Sequence, residues 1–283
     1  MSEATVVSLE DALRARSPAP AVVTEEDLLA RQSRIPAEDC HAIFDRVSYQ
    51  LKRETEEITV FKDLSVGFPK GRKIALLGHD GSGKATLLDL LLTRLAPTLG
   101  QVFVRSRLSF PVMQSQFLDQ RLTVGQNIIF LSGITGVDAK VFRTAVMEFC
   151  DFSPTSLKEP LRNMPAWARM RLGLFVCLVC DFDCHLIGGA FRPQRLRFAG
   201  EDARRITELV LGRDYIISVD QTRLIPENCD LVYILYNGRL YLFEDVARAA
   251  AIFAALPVPK EVSARGRADE EEDDDDETNE LIL

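Results

Sequence analysis

The chain has 283 residues, 47% of them hydrophobic and 27% charged, a composition ordinary for a soluble globular protein. It contains no secretory signal and no apolar run of about eighteen residues, so we expect a cytoplasmic protein that does not insert into a membrane. The net charge of −8 belongs to the C-terminal tail, because removing its ten acidic residues, nine of them consecutive in Asp269–Glu277, leaves a charge near +2. We therefore predict a disordered acidic tail over 258–283 and no nucleic-acid partner.

The N-terminal region, residues 1–38, is polar, contains three prolines and lacks sustained periodicity, which predicts a disordered leader. The folded domain is predicted over 39–257. It begins with two strands, Ala42–Gln50 and Ile58–Phe68, joined by a charged turn. Lys73–Leu77 is a compact apolar run, typical of a strand buried on both faces.

The rest of the domain alternates strands and helices. Helices are predicted at Lys84–Arg94, Asp138–Phe149 and Val246–Leu256, and further strands at Val102–Arg105, Cys184–Ile187, Tyr215–Val219, Leu231–Tyr236 and Arg239–Phe243. Asn237-Gly238 is the strongest short hairpin signal. This alternation predicts an α/β fold with a mainly parallel sheet, and the helical periodicity over 123–180 predicts a helical subdomain inserted between two strands.

Three of the six cysteines, Cys177, Cys180 and Cys184, lie close enough in sequence to suggest a metal cluster. They fall within the apolar stretch Leu172–Ile187, and no histidine is spaced as a partner ligand. We therefore predict reduced core cysteines and no metal site.

A glycine-rich turn, Gly78–Lys84, reads G-H-D-G-S-G-K and has the spacing of a phosphate-binding P-loop up to the lysine. Glycines allow successive backbone N–H groups to face phosphate oxygens, the following helix directs its positive end there, and Lys84 adds a full charge. One position departs from the pattern, because the residue after the lysine is Ala85 rather than a Ser or Thr that would bind Mg²⁺. Thr86 is expected to reach an inner phosphate without replacing that ligand.

Beyond the P-loop, residues 114–127 read Q-S-Q-F-L-D-Q-R-L-T-V-G-Q-N and resemble the Q-loop region of ATP-binding-cassette (ABC) ATPases, with Gln114 at the Q-loop position. Cys229-Asp230 and the hairpin at 236–240 are similar to the later half of the same domain. Ser109–Pro111 and Cys180–Asp183 resemble the ATP-binding subunits of capsular-polysaccharide and teichoic-acid exporters. The resemblance implies an ABC-type P-loop domain with an antiparallel β subdomain. The residues it assigns to nucleotide binding are Gly78, Gly81, Ser82, Gly83, Lys84, Ala85, Thr86 and Gln114.

Several positions depart from this family. Alignment on Leu186-Ile187 puts Gly188 and Gly189 where the family has the Asp that holds Mg²⁺ and the Glu that polarises water. The switch histidine falls at Asp220. The signature loop, which should contact the partner subunit's nucleotide, falls at Pro165–Trp167. Leu51 takes the place of the aromatic that stacks on adenine, with Tyr49 as the alternative.

These departures imply that no residue serves the usual catalytic roles and that no protein group holds a metal. We expect weak ATP binding with doubtful dependence on Mg²⁺, because the phosphate cradle remains while the groups that hold metal and activate water are missing. A carboxylate brought by folding to both Lys84 and the metal position would overturn this expectation. The predicted partners are an integral membrane permease, a paralogous ABC ATPase or a second copy of this chain, on the inner face of the cell membrane.

Two alternatives remain open at this point. One is an active exporter ATPase that uses displaced carboxylates, with Asp181 or Asp183 as the candidates. The other is an unrelated P-loop small-molecule kinase.

Overall fold

The computed structural model describes residues 39–52, 57–112, 115 and 117–257. The predicted leader, the predicted acidic tail and Gln114 lie outside the described residues. The domain boundaries at 39 and 257 stay a prediction.

Eight strands and six α-helices make up the described chain. The strands are β1 (Cys40–Lys52), β2 (Glu57–Pro69), β3 (Lys73–Leu77), β4 (Leu99–Val104), β5 (His185–Gly188), β6 (Tyr215–Val219), β7 (Leu231–Tyr236) and β8 (Arg239–Phe243). The helices are α1 (Lys84–Leu91), α2 (Val124–Thr135), α3 (Ala139–Cys150), α4 (Ala166–Val179), α5 (Gly200–Leu211) and α6 (Val246–Ala255).

The strands form two sheets. One is a three-stranded antiparallel sheet in the order β2-β1-β4, and the other is five-stranded in the order β5-β6-β3-β7-β8. In the second sheet β3, β5, β6 and β7 run parallel, and only β8 is antiparallel to its neighbour. The α/β fold with a mainly parallel core and an antiparallel β subdomain is therefore confirmed, and because the strands are parallel, the loops after β3, β5 and β6 open at one edge of the sheet.

Three clusters of buried side chains hold these layers together. One joins the antiparallel sheet and α1 to one face of the parallel sheet and includes Phe61, Phe68 and Tyr233. A second covers the opposite face with residues of α5 and α6. The helices α2, α3 and α4 enclose a third cluster of their own, which extends from Leu118 to Val176 and accounts for the helical periodicity of this segment.

The structure differs from the predicted elements at several ends, by up to three residues, and in one helix. Helix α1 ends at Leu91 rather than Arg94, because Thr93 has a left-handed backbone (φ 54°) that stops the helix. Helix α5 was not predicted. Its buried residues Ala203, Ile206 and Val210 recur at helical spacing among charged positions, so the helix is amphipathic and its periodic signal was present in the sequence but missed.

The cysteines are free thiols, and four of the six are buried. Burial raises the pKa of Cys150 and of Cys177 to about 12. Cys180 and Cys229 are only half-buried, so the prediction of core cysteines holds for the other four. Among the described helices, none is both long and apolar enough to span a bilayer.

His41 and Asp214 connect the two sheets. The buried His41 of β1 has its Nε2 2.9 Å from Asp214 Oδ2 and its Nδ1 2.9 Å from Ser106 Oγ. The same Asp214 oxygen accepts a hydrogen bond of 2.6 Å from the backbone N–H of Gly71, just before β3. One carboxylate therefore ties the first strand of one sheet to the entry of the other.

We expect the substitution Asp214→Ala to lower the free energy of unfolding by about 2 kcal/mol, because it leaves a buried imidazole and a backbone N–H without an acceptor. Urea unfolding followed by circular dichroism measures this loss. Asp138→Ala, which removes only a surface helix cap, is the control, with an expected loss of about 1 kcal/mol. An Asp214 variant no less stable than the control would contradict the role of this contact.

Candidate nucleotide site

A cleft of about 1110 Å³ opens at the edge of the parallel sheet where β3, β5 and β6 end. It is lined by the P-loop, by the end of β5, by residues after β6 and by the β7–β8 hairpin. Of the residues assigned from the resemblance, the lining includes Gly81, Ser82, Gly83, Lys84, Ala85, Thr86, Gly188, Gly189 and Asp220. Folding thus gathers positions that are up to 139 residues apart in sequence around one space.

The P-loop has the backbone that a phosphate cradle needs. Gly81 and Gly83 have positive φ angles of 71° and 101°, and Gly83 immediately precedes α1. A Cβ at Gly78 would lie 2.6 Å from Ser82 Oγ, so this position also requires glycine. The loop is therefore shaped to present backbone N–H groups and the positive end of α1 to an anion.

Lys84 is held across this loop. Its Nζ donates hydrogen bonds of 2.7 Å to the Gly78 carbonyl and 2.9 Å to the His79 carbonyl. Burial lowers the pKa of Lys84, and the nearby Asp80 and Asp220 carboxylates oppose that shift. The ammonium is thus fixed at the mouth of the cradle.

Two buried polar atoms of the loop lack partners among the described residues, namely Ser82 Oγ and His79 Nε2. His79 stacks on Phe253 of α6, with ring centroids 4.5 Å apart, and burial lowers its pKa. The Ser82 hydroxyl faces the loop interior beside Gly78, where an anion would satisfy it. This unpaired hydroxyl fits a bound phosphate.

Part of the cleft wall is apolar. Leu51, Ile58 and Val60 of the β1–β2 hairpin line it, with Leu51 38% exposed. Tyr49 instead packs against the core between the sheets. Of the two alternatives for contact with a base, the structure brings Leu51 to the cleft.

The end of β5 lacks carboxylates. Gly188 is the last residue of the strand, and Gly189 follows with a φ of 87°. The Gly189 N–H donates to the Ser218 carbonyl at 3.0 Å and to Ser218 Oγ at 3.2 Å. A side chain at Gly189 would meet open space but would need a backbone conformation that L-residues rarely adopt.

Two carboxylates do lie near the lysine. Asp80 Oδ1 is 3.9 Å from Lys84 Nζ, and Asp220 is close enough to influence the pKa of Lys84. Asp80 belongs to the P-loop itself and its side chain is 73% exposed. Both side chains place negative charge where a nucleotide would bring more, and neither lies at the end of β5.

The donor set of this cleft does not fit Mg²⁺. Ala85 and Gly188 have no side-chain oxygen, and in the described part of the chain no group of three or more His, Cys, Asp or Glu could hold a metal ion. Mg²⁺ at a phosphate site is usually held by one or two side-chain oxygens together with phosphates and water, and the two positions that the resemblance assigns to those oxygens carry none here. No step of a reaction is therefore assigned to a metal.

Asp181 and Asp183, the displaced carboxylates considered above, lie at the other end of β5. Asp183 precedes Gly188 by five residues, about 16 Å along an extended strand. Both are bound to Arg107, whose guanidinium is 2.8 Å from Asp181 Oδ2 and whose backbone N–H is 2.7 Å from Asp183 Oδ2. The hydrogen bond from that N–H is the main cause of the lowered pKa of Asp183.

Trp167 occupies the first turn of α4, outside the cleft lining. Its ring lies under two guanidinium groups, those of Arg171 at 5.4 Å and Arg197 at 4.6 Å. The indole and the two guanidinium groups therefore cover the backbone at this position, where a glycine would leave it open to the partner subunit's nucleotide.

The sequence of the chain matches the ABC transporter family model over residues 61–187. It is 30% identical to the capsule polysaccharide export ATP-binding protein CtrD of Neisseria meningitidis serogroup B, over 70% of this chain and 92% of that protein. The ATP-binding protein BexA of Haemophilus influenzae is 29% identical over 68% of this chain and 88% of its own length. The chain belongs to the ABC transporter family.

Solved structures agree on the fold of this ABC domain. A dimeric post-hydrolysis state of the ATP-binding cassette MJ0796, bound to ADP and phosphate, superposes with a TM-score of 0.55 at 15% identity, covering 72% of this chain and 98% of that one. Family membership rules out the unrelated kinase considered above. The resemblance assigned Gly188, Gly189 and Asp220 to the positions of the family's two carboxylates and its switch histidine. All three residues line the cleft of the ABC domain.

Three charged residues of the cleft lining, Asp89, Arg94 and Arg195, were not named as site residues by the sequence analysis. Arg195 lines the cleft from the short 3₁₀ turn Pro193–Leu196 after β5. For Arg195, the available signal in the sequence was a basic residue seven positions after the end of β5.

Proposed function

We propose that this chain is a degenerate nucleotide-binding subunit associated with polysaccharide export, which binds ATP weakly and acts as a regulator or scaffold. The observation that carries the proposal is a complete phosphate cradle around Lys84 that faces a β5 end without carboxylates. Similarity to CtrD and BexA, named for capsule polysaccharide export and for ATP binding, supports the transport setting.

The proposed partners follow from the same setting. ABC domains form pairs, as in the dimeric MJ0796 cassette, and this chain would pair with a paralogous ABC ATPase or with itself. It would also bind an integral membrane permease from the cytoplasmic side of the membrane. Trp167 at the signature position supports a pair in which the partner's nucleotide is also poorly contacted.

A second candidate function, an active exporter ATPase, is favoured by one observation, the approach of Asp80 to Lys84 at 3.9 Å. Against it, the Asp80 side chain is largely exposed, and a carboxylate that holds water or metal in a working site is fixed by further hydrogen bonds. The degenerate subunit therefore remains the better account.

Equilibrium titration of the full chain with ATP tests nucleotide binding. We expect measurable but weak binding by the wild type and an affinity about 10- to 100-fold lower in Lys84→Ala, because a charge-assisted contact with the outer phosphates is removed. Lys70→Ala, outside the cleft lining, is the control and should bind as the wild type does. Failure of the wild type to bind ATP, or equal binding by the Lys84 variant, would refute the proposal.

A further inference from the structure

The turn that bears Arg195 is rigidly held. Leu196 is fully buried in the core, and the nearly buried Arg171 donates through its guanidinium to the Leu196 and Arg197 carbonyls. Further backbone hydrogen bonds close the turn, from Arg197 N–H to the Gln194 carbonyl at 2.9 Å and from Phe198 N–H to the Pro193 carbonyl at 3.2 Å. Arg195 therefore lines the cleft from a rigid backbone.

The charges around the cleft nearly cancel. The charged residues in the lining are Lys84, Arg94, Arg195, Asp80, Asp89 and Asp220. Arg94 pairs with Asp89 at 3.4 Å, and Lys84 lies beside Asp80 at 3.9 Å with Asp220 also in range. Within the described residues, the Arg195 side chain makes neither a hydrogen bond nor an ion pair, so no carboxylate of the lining binds it directly.

Arg195 shares the cleft with Gly188 and Gly189, and the space beside Gly189 is open. Arginine is always charged and its planar guanidinium binds phosphate oxygens in pairs. An arginine in the same cleft as a carboxylate-free strand end suits a phosphate group directly, without an intervening metal.

We propose that Arg195 binds the outer phosphates of a nucleoside triphosphate and supplies the positive charge that Mg²⁺ supplies in a working site. The chain then binds nucleotide as well without magnesium as with it. This inference rests on the proposed function, because it requires that the P-loop cradle binds nucleotide. The inferred ligand of the cradle is a nucleoside triphosphate without a bound metal, and Arg195 is the cation that positions it.

Titrations of the full chain with ATP in EDTA and in Mg²⁺ test the inference. We expect wild-type dissociation constants that agree within about threefold in the two conditions, and an affinity in EDTA about 10- to 100-fold lower for Arg195→Ala. Arg195→Lys keeps the positive charge but lacks the paired N–H donors, so its affinity for ATP in EDTA should lie between those of the wild type and Arg195→Ala. Arg192→Ala is the matched control. Arg192 immediately precedes the same turn and is exposed, but it does not line the cleft.

The possible outcomes separate the two proposals. Wild-type binding that requires Mg²⁺, or an Arg195→Ala variant that binds in EDTA as the wild type does, would overturn the role of Arg195 and leave nucleotide binding intact. Absence of wild-type binding in both conditions would overturn the proposed function itself. A thermal melt of each variant confirms that loss of binding does not come from unfolding, which the exposure of both arginines makes unexpected.

Discussion

The substitution Gly83→Ala is expected to lower the free energy of unfolding by about 3 kcal/mol and to abolish nucleotide binding. Gly83 has a φ of 101°, and a Cβ there would lie 2.7 Å from Val60 Cγ1 and 3.1 Å from the ring of Phe61. The strained backbone and the overpacked contact each cost about 1–3 kcal/mol. Because Phe61 is fully buried, it has little room to yield, and the P-loop would shift instead.

Chemical denaturation, followed by an ATP titration of the folded variant, measures both effects. Gly136→Ala is the matched control, since Gly136 also has a positive φ of 71° but no atom within 4 Å of the added Cβ. That variant should lose about 1 kcal/mol and should still bind ATP. Equal losses in the two variants would show that backbone strain alone, and not contact with the β1–β2 hairpin, restricts Gly83.

Restoring the missing metal ligands should make nucleotide binding depend on magnesium. In the double variant Ala85→Ser with Gly188→Asp, we expect ATP to bind about 100-fold more tightly in Mg²⁺ than in EDTA, equivalent to about 3 kcal/mol. Ala85 and Gly188 are both exposed and line the cleft, and Gly188 has strand backbone that does not require glycine. In EDTA the added carboxylate should weaken binding, because it lies beside the phosphates.

The ratio of the two dissociation constants is the measurement, and each single variant is its control. For Gly188→Asp alone, the ratio of the dissociation constant in EDTA to that in Mg²⁺ should be smaller than for the double variant. A double variant that binds equally in both conditions would contradict the account of why the donor set fails. Gly189→Glu, by contrast, should not restore ATP hydrolysis, because the backbone φ of 87° at this position strains any residue with a Cβ.

Much of the fold could be predicted from local sequence. The short buried strands are continuous apolar runs, so Lys73–Leu77 and Tyr215–Val219 were predicted with the bounds that the structure has. Asn237 and Gly238 both have positive φ angles, 48° and 72°, which is the backbone that an Asn-Gly hairpin turn requires. Local chemistry determines these elements directly.

Features set by tertiary contacts could not be predicted in this way. The position of Arg195 in the cleft depends on the buried Leu196 and on the Arg171 contacts, which no spacing encodes. The approach of Asp80 to Lys84 likewise depends on the backbone of the folded loop.

The rate of ATP hydrolysis by the full chain in Mg²⁺ tests the central claim most directly. Loss of about 4 kcal/mol of transition-state stabilisation slows a reaction about 10³-fold, and in our proposal Ala85, Gly188 and Gly189 stand where the metal ligands and the water-activating carboxylate would be. We predict turnover at least about 10³-fold below that of an intact relative assayed alongside. Turnover at the rate of the relative, lost in Asp80→Asn, would contradict the account and identify Asp80 as the missing carboxylate.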